Sequence, residues 1–105
     1  MSPSNTSPVE FVEVRHNPAA SRFEARVDGE LARADYRLDG RVMRLTHTEV
    51  PVDLEGRGIA AQLVRAALTH AESKKLFVMP ACSYVRAYMR NNPETKSLLP
   101  PGTSL

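Results

Sequence analysis

Apolar and polar residues alternate through much of the first half of the chain. In the stretch RFEARVD, residues 22–28, every second residue from Phe23 is apolar and charged residues stand between. The same period of two continues through Ala32–Leu38, and RVMRLTHTEVP, residues 41–51, supplies a further strand that Pro51 ends. This period is typical of strands that bury one face. A less regular apolar run over Val9–Val14 predicts an opening strand, so we expect four strands in series.

The hydrophobic period changes to that of a helix in the second half. Apolar residues recur at three- and four-residue spacing from Arg57 to Ser73, which predicts a helix with one buried face. KLFVMP is a short strand of the buried type, and CSYVRAYMRNN predicts a second helix that stops before Pro93. The expected fold class is therefore α/β of the α+β type. An antiparallel β-meander, with turns at Asp28-Gly29 and Asp39-Gly40, is followed by β-α-β-α, and the strands of that unit are parallel neighbours.

The length of 105 residues and a hydrophobic content of 42% suit one domain with a modest core. We expect this domain to span residues 9–99. Residues 1–8 and 100–105 are rich in Ser, Pro and Thr and are expected to form disordered tails. The single cysteine, Cys82, excludes an internal disulfide and a cysteine-rich metal site, and no metal site is expected.

Charge and hydropathy narrow the expected surroundings of the protein. No apolar run approaches the length of a bilayer span, and the N-terminal residues do not resemble a signal peptide, so we expect a cytoplasmic protein without membrane contact. The net charge is only +2, and the basic residues are interleaved with acidic ones. A nucleic-acid partner is therefore not expected. The arginines of the meander are interpreted as a solvated outer face that could attract an acidic partner.

Two of only five glycines, Gly56 and Gly58, stand at the start of the first predicted helix, in LEGRGIAAQLV. A helix N-terminus presents free amides and a partial positive charge, and glycines let an anion approach them. The alternative is a plain turn into a helix. The pattern is neither a Walker A loop nor G-x-G-x-x-G.

Two segments resemble the GNAT superfamily of N-acetyltransferases. TEVPVDLEGRGIAAQLV resembles its acetyl-CoA signature, Arg/Gln-x-x-Gly-x-Gly/Ala, with Gly58 and Ala60 at the last two defined positions. VMPACSYVRAYMRNNPE resembles the second conserved segment of the short, single-domain branch of that superfamily. Together the segments cover residues 43–98. Two positions depart from the family pattern: Glu55 stands where Arg or Gln is usual, and Met89 stands where many members have a tyrosine acid.

The resemblance implies a minimal GNAT-like fold with a splayed parallel strand pair that binds acetyl-CoA. In the family, amides of the glycine loop hold the pyrophosphate, and the end of the preceding strand pairs with the pantetheine arm. Carried over by position, the cofactor-binding residues are Thr48, Glu49, Val50, Arg57, Gly58, Ile59, Ala60 and Ala61. Tyr88 is a further candidate CoA contact, with packing as its alternative role.

Cys82 and His47 are the candidate catalytic residues. Cys82 begins the second helix, where a thiolate is favoured, and could accept acetyl or protonate the departing CoA thiolate. Its alternatives are a small buried hydrophobe or a CoA contact. His47 is placed on the face of Met43 and Leu45 and could act as base or orient Cys82, unless it is a core histidine. Glu49 is an alternative base or a solvated carboxylate.

The function expected from the sequence is acetyl-CoA-dependent N-acetyl transfer to an unknown amine acceptor. The alternative is a CoA-binding or protein-interaction module with little turnover. A nucleic-acid-binding protein ranks last. The expected assembly is a monomer or a weak homodimer.

Overall fold

The fold, seen in a computed structural model that describes residues 10–105, is a five-stranded sheet with two helices. The strands and helices follow one another in the predicted type and order. Their bounds are β1 Arg15–Asn17, β2 Arg22–Val27, β3 Glu30–Asp39, β4 Val42–Glu49, α1 Ile59–Ser73, β5 Phe77–Pro80 and α2 Ser83–Asn91. Short 3-10 segments lie at Pro18–Ala20, Val52–Leu54 and Pro93–Leu98.

The strand order in the sheet is β1-β2-β3-β4-β5. Neighbours from β1 to β4 are antiparallel, whereas β4 and β5 are parallel and place Met43 opposite Val78. The β2–β3 turn has Asp28 and Gly29 at φ 52° and 78°, the two positive values that a tight hairpin turn requires. The predicted meander and parallel pair are confirmed.

The opening strand predicted at Val9–Val14 is wrong in its position. The strand lies at Arg15–Asn17, and Val9 falls outside the described residues. The backbone of residues 10–14 instead runs along the start of α1. The amide of Glu10 donates to the carbonyl of Arg57 at 3.3 Å, and that of Val12 donates to the side chain of Gln62 at 3.0 Å. The side-chain amide of Gln62 thus supplies hydrogen-bond partners to the backbone of residues 10–12 in place of a neighbouring strand.

One hydrophobic core fills the space between the sheet and the helices. It contains the inward residues of β2 to β5, the buried face of α1, and Val85 and Met89 of α2. A fully buried side chain of this size contributes about 1.5–3 kcal/mol. The alternate residues of β2, β3 and β4 lie on the opposite, open face of the sheet, where they are exposed or half-buried and, apart from Leu31 and Val42, polar.

Four aromatic and imidazole rings meet where β1 crosses β2 and α1. His16 stacks on Phe23 with ring centroids 4.4 Å apart, and the ring of His70 lies at the same centroid distance. Nε2 of His16 lies 2.7 Å from the hydroxyl of Tyr36. Burial, His70 and Lys74 together lower the pKa of His16. The packed rings stabilise the junction, and the lowered pKa of His16 favours its neutral imidazole.

A β-bulge interrupts the pairing of β3 with β4. Tyr36 lies opposite Leu45 but Asp35 lies opposite His47, so Thr46 is an extra residue in β4. Such a bulge reverses the alternation of the strand beyond it. The side chains of Met43 and Leu45 are buried before the bulge, whereas His47 is exposed after it.

The C-terminal residues fold back on the domain. The amide of Thr103 donates to the carbonyl of Pro100 at 3.0 Å, and the half-buried Leu105 packs against the core. Disorder of residues 100–105 stays a prediction, and residues 1–8 lie outside the described part of the chain. Within residues 10–105, the helices are too short or too polar to cross a membrane.

Candidate functional site

A cavity of about 420 Å³ lies between the end of β4 and the first turn of α1. The residues predicted to bind cofactor that line it are Thr48, Val50, Gly58, Ile59, Ala60 and Ala61. Leu54, Glu55, Gly56 and Tyr84 complete the wall. The two segments singled out in the sequence therefore face the same space, and its volume is in the range of small-molecule sites.

The N-terminus of α1 opens into this cavity. Gly58 is the N-cap at φ 80°, a left-handed conformation that disfavours a side chain, and Gly56 has φ 81°. No side chain caps the helix, so the first amides, beginning at Ile59, have no side-chain acceptor among the described residues. Free amides and the helix dipole make this end a ready place for an anion.

The side chain of Arg57 does not line the cavity, because it is hydrogen-bonded to other parts of the fold. Its Nε and Nη2 donate to the carboxylate of Glu10 at 3.1 and 2.7 Å, and Nη1 donates to Asp28 at 3.3 Å. The hydrogen bonds to Glu10 hold the pKa of Arg57 above its ordinary value. Its guanidinium therefore joins three segments of the fold. A phosphate contact by the Arg57 amide stays a prediction.

Cys82 is the N-cap residue of α2 and is half-buried. Its sulfur lies 3.7 Å from the hydroxyl oxygen of Thr48, a residue of the cavity wall. Partial burial on its own would raise the pKa of the thiol. The amides of Val85 and Tyr84 and the hydroxyl of Thr48 outweigh that effect, so the pKa of Cys82 is lowered. The thiolate is thus favoured beside the cavity.

His47 and Glu49 point to the open face of the sheet. Nε2 of His47 lies 3.1 Å from Oε1 of Glu49, which also forms an ion pair with Nη2 of Arg33 at 3.2 Å. The prediction that His47 shares the face of Met43 and Leu45 is wrong, because the bulge at Thr46 reverses the alternation. Thr48 rather than His47 is the neighbour of Cys82, so the expected Cys82–His47 pair does not form. A catalytic role for His47 stays a prediction.

Of the two tyrosines of α2, Tyr84 lines the candidate site, whereas Tyr88, the candidate CoA contact, does not. Tyr88 lines a separate cavity between α1 and the 3-10 segment Pro93–Leu98, away from the glycine loop. Tyr84 lies on the wall of the candidate site, and burial raises its pKa. Its position two residues after Cys82, in the first turn of α2, was the signal available in the sequence. Met89, at the family's tyrosine position, is fully buried.

The chain is similar to known proteins in sequence and in fold. A family model described as GCN5-related N-acetyl-transferase matches residues 22–98. Protein NATD1 from Gallus gallus, Mus musculus and Homo sapiens is 36% identical over 85 residues, 78% of this chain and between 75% and 77% of theirs. A GCN5-like protein from Staphylococcus aureus has the same fold, with a TM-score of 0.68 at 23% identity over 85% of this chain and 88% of that one.

Proposed function

The chain belongs to the GCN5-related N-acetyltransferase family, and from that premise we propose that it binds acetyl-CoA and transfers the acetyl group to an amine. One observation carries the proposal beyond family membership. The uncapped N-terminus of α1 opens into the cavity, and the thiol of Cys82 lies 3.7 Å from the hydroxyl of Thr48, one of the residues that line it. An anion site and a reactive group are what a phosphate-bearing acyl donor requires.

The residues present fit the charged part of acetyl-CoA. The amides of the glycine loop and of the first turn of α1, from Arg57 to Ala61, would hold the pyrophosphate, because an anion there gains the hydrogen bonds that no side chain supplies. The small side chains of Ala60 and Ala61 leave that approach open. The backbone at Thr48–Val50, beyond the bulge, would follow the pantetheine arm.

Acetyl-CoA supplies a thioester, and the acceptor must present a neutral amine to its acyl carbon. The departing thiolate then needs a proton. Cys82 supplies it as a thiol in direct transfer. In transfer by two steps, the Cys82 thiolate attacks the acyl carbon, a bond to its sulfur forms, and the bond to the CoA sulfur breaks with the electron pair left on CoA. The amine then attacks the acetyl carbon, the bond to the Cys82 sulfur breaks with its electron pair left on that sulfur, and the proton that the amine loses passes to solvent.

Mass spectrometry of the intact protein separates these routes. Wild type and Cys82→Ala are incubated with acetyl-CoA, then with a lysine peptide, a polyamine or an arylamine. We expect acetylated amine from wild type and at least about tenfold less from Cys82→Ala. Ser83→Ala, which changes the exposed neighbouring residue, is the matched control and should keep the wild-type rate. A hydroxylamine-labile acetyl adduct absent from Cys82→Ala identifies the two-step route.

A CoA-binding module with little turnover is the second candidate. Glu55 in the cavity wall and buried Met89 at the family's acid position favour it. This candidate predicts calorimetric CoA binding by wild type and Cys82→Ala alike, with no acetylated amine from either protein. Transfer at equal rates by both proteins would instead remove Cys82 from the mechanism.

A further inference from the structure

The open face of the sheet is patterned in opposite charges near the bulge. Arg22 pairs with Glu24 on β2, and on β3 Nε of Arg33 lies 3.1 Å from Asp35. Nη2 of Arg33 also lies 3.2 Å from Glu49 of β4. Cations and carboxylates therefore neutralise one another across three strands on this half of the face.

The other half of the same face breaks this pattern. Arg37 of β3 lies directly opposite Arg44 of β4, and both are exposed. Within residues 10–105, neither guanidinium comes within 4.0 Å of a carboxylate. Like charges directly opposite across two strands destabilise a sheet. Among the described residues, the charges of this pair are therefore not compensated by an ion pair, which leaves both guanidinium groups available to a partner.

Further basic residues surround the arginine pair. We call residues 37–44 and 74–79 the basic end of the sheet; its cations are Arg37, Arg41, Arg44, Lys74 and Lys75, and its one carboxylate is Asp39. Nη1 of Arg41 donates to the carbonyl of Lys75 at 3.1 Å, which joins the two turns. The side chain of Phe77 is 37% exposed at the same end.

We propose that the basic end of the sheet binds an acidic segment of a partner polypeptide. Carboxylates of that segment bridge Arg37 and Arg44, and an apolar side chain of the segment packs on Phe77. This surface lies at the opposite end of β4 from the candidate cavity, so it is a docking site separate from the proposed acetyl-transfer site.

The extent of the surface favours a polypeptide over a nucleic acid. On the open face, Arg37 and Arg44 form one cross-strand pair. The next pair on the same face is Asp39 and Val42, two residues further along each strand, so the basic end covers roughly 7 Å along the strands. Beyond Arg37 the face returns to its paired carboxylates, Asp35 and Glu49. Because Arg33 is already paired with both of them, this part of the face offers no net positive charge to a phosphate backbone that continued along it, whereas a short acidic peptide needs only the basic end.

Fluorescence anisotropy tests the docking surface. The probe is a fluorescein-labelled peptide that contains two consecutive copies of Glu-Glu-Leu-Glu-Glu-Phe. The full chain is titrated into this peptide at low salt. Arg37→Ser/Arg44→Ser should weaken binding about tenfold, since each exposed charge contact contributes roughly threefold. Arg26→Ser/Arg90→Ser is the matched control: it removes two exposed arginines outside the basic end and should change binding less than about twofold.

A stability measurement separates docking from a structural role. Arg44→Glu places a carboxylate opposite Arg37, so it should raise the melting temperature while it weakens peptide binding about tenfold. Equal weakening by the two double variants would overturn the proposal, as would a lower melting temperature for Arg44→Glu. Tighter binding of a labelled twelve-nucleotide polyuridine, with the same dependence on Arg37 and Arg44, would replace the acidic polypeptide by a nucleic acid and also overturn it.

Discussion

Replacing Glu55 by glutamine is expected to tighten the binding of CoA. Glu55 is exposed and lines the cavity into which the N-terminus of α1 opens. In the proposed complex, its carboxylate faces the same anion that the helix attracts. Glutamine keeps the size and hydrogen-bonding capacity of the side chain and removes only the charge, so the substitution measures the repulsion alone.

The magnitude of the repulsion follows from Coulomb's law. At about 7 Å in water, a carboxylate repels each unit charge of a pyrophosphate by about 0.6 kcal/mol, and salt near 0.15 M removes roughly half of that. For two charges the remaining repulsion is about 0.6 kcal/mol, which corresponds to roughly threefold in Kd. The larger attraction of the helix amides leaves binding favourable in the wild type.

Isothermal titration calorimetry with CoA at low and high salt measures this effect. Glu55→Gln should bind about threefold tighter near 0.15 M salt, and the difference should vanish near 1 M salt, where the Debye length is about 3 Å. Glu72→Gln, an exposed carboxylate outside the cavity wall, is the control and should bind as the wild type does. Unchanged or weaker binding by Glu55→Gln would refute the placement of the pyrophosphate beside Glu55.

Three further predictions concern the loop, the thiol and the ring cluster. Gly58→Ala should lower the free energy of unfolding by about 1–2 kcal/mol, because alanine is strained at this left-handed φ, and should also weaken CoA binding. Gly40→Ala, at φ 60° in a turn outside the cavity wall, should lower only the stability, so equal CoA affinities of the two variants would contradict the prediction. The lowered pKa of Cys82 predicts that the pH midpoint of its alkylation by iodoacetamide lies below that of the unfolded protein and moves upward in Thr48→Val. An unmoved midpoint argues against the hydroxyl contact. Folding lowers the pKa of His16, so the unfolded chain binds the proton more readily near pH 6, and the free energy of unfolding should fall as pH drops from 7.5 to 5. Urea titrations should show a smaller fall for His16→Gln than for the wild type. An equal fall would exclude His16 as the cause.

The order of elements could be predicted because each segment has a single, regular hydrophobic period. The alternation from Phe23 to Tyr36 and the helical spacing after Gly58 both describe residues buried on one face, which the core confirms, whereas Leu38 near the end of β3 is exposed. The opening strand could not be placed in the same way. The segment predicted as that strand instead contacts α1, where the amide of Val12 donates to the side chain of Gln62, fifty residues away, and no local pattern encodes that contact.

The candidate site was predictable where backbone conformation decides it. The glycine loop and its cavity follow from Gly56, Gly58 and the start of α1. The partner of Cys82 was not predictable, because one inserted residue, Thr46, exchanges the faces of His47 and Thr48. Likewise, whether Tyr84 or Tyr88 faces the cavity depends on the rotation of α2 about its axis, which tertiary packing fixes.

The binding of acetyl-CoA at the glycine loop is the central claim, and an amide-resolved NMR titration tests it most directly. Uniformly ¹⁵N-labelled protein is titrated with acetyl-CoA, and the shifts of backbone amides are followed residue by residue. We predict saturable shifts concentrated at Gly58–Ala61 and Thr48–Val50, with those at Arg37 and Arg44 unchanged. Shifts confined to other parts of the chain, or none at millimolar acetyl-CoA, would contradict the claim.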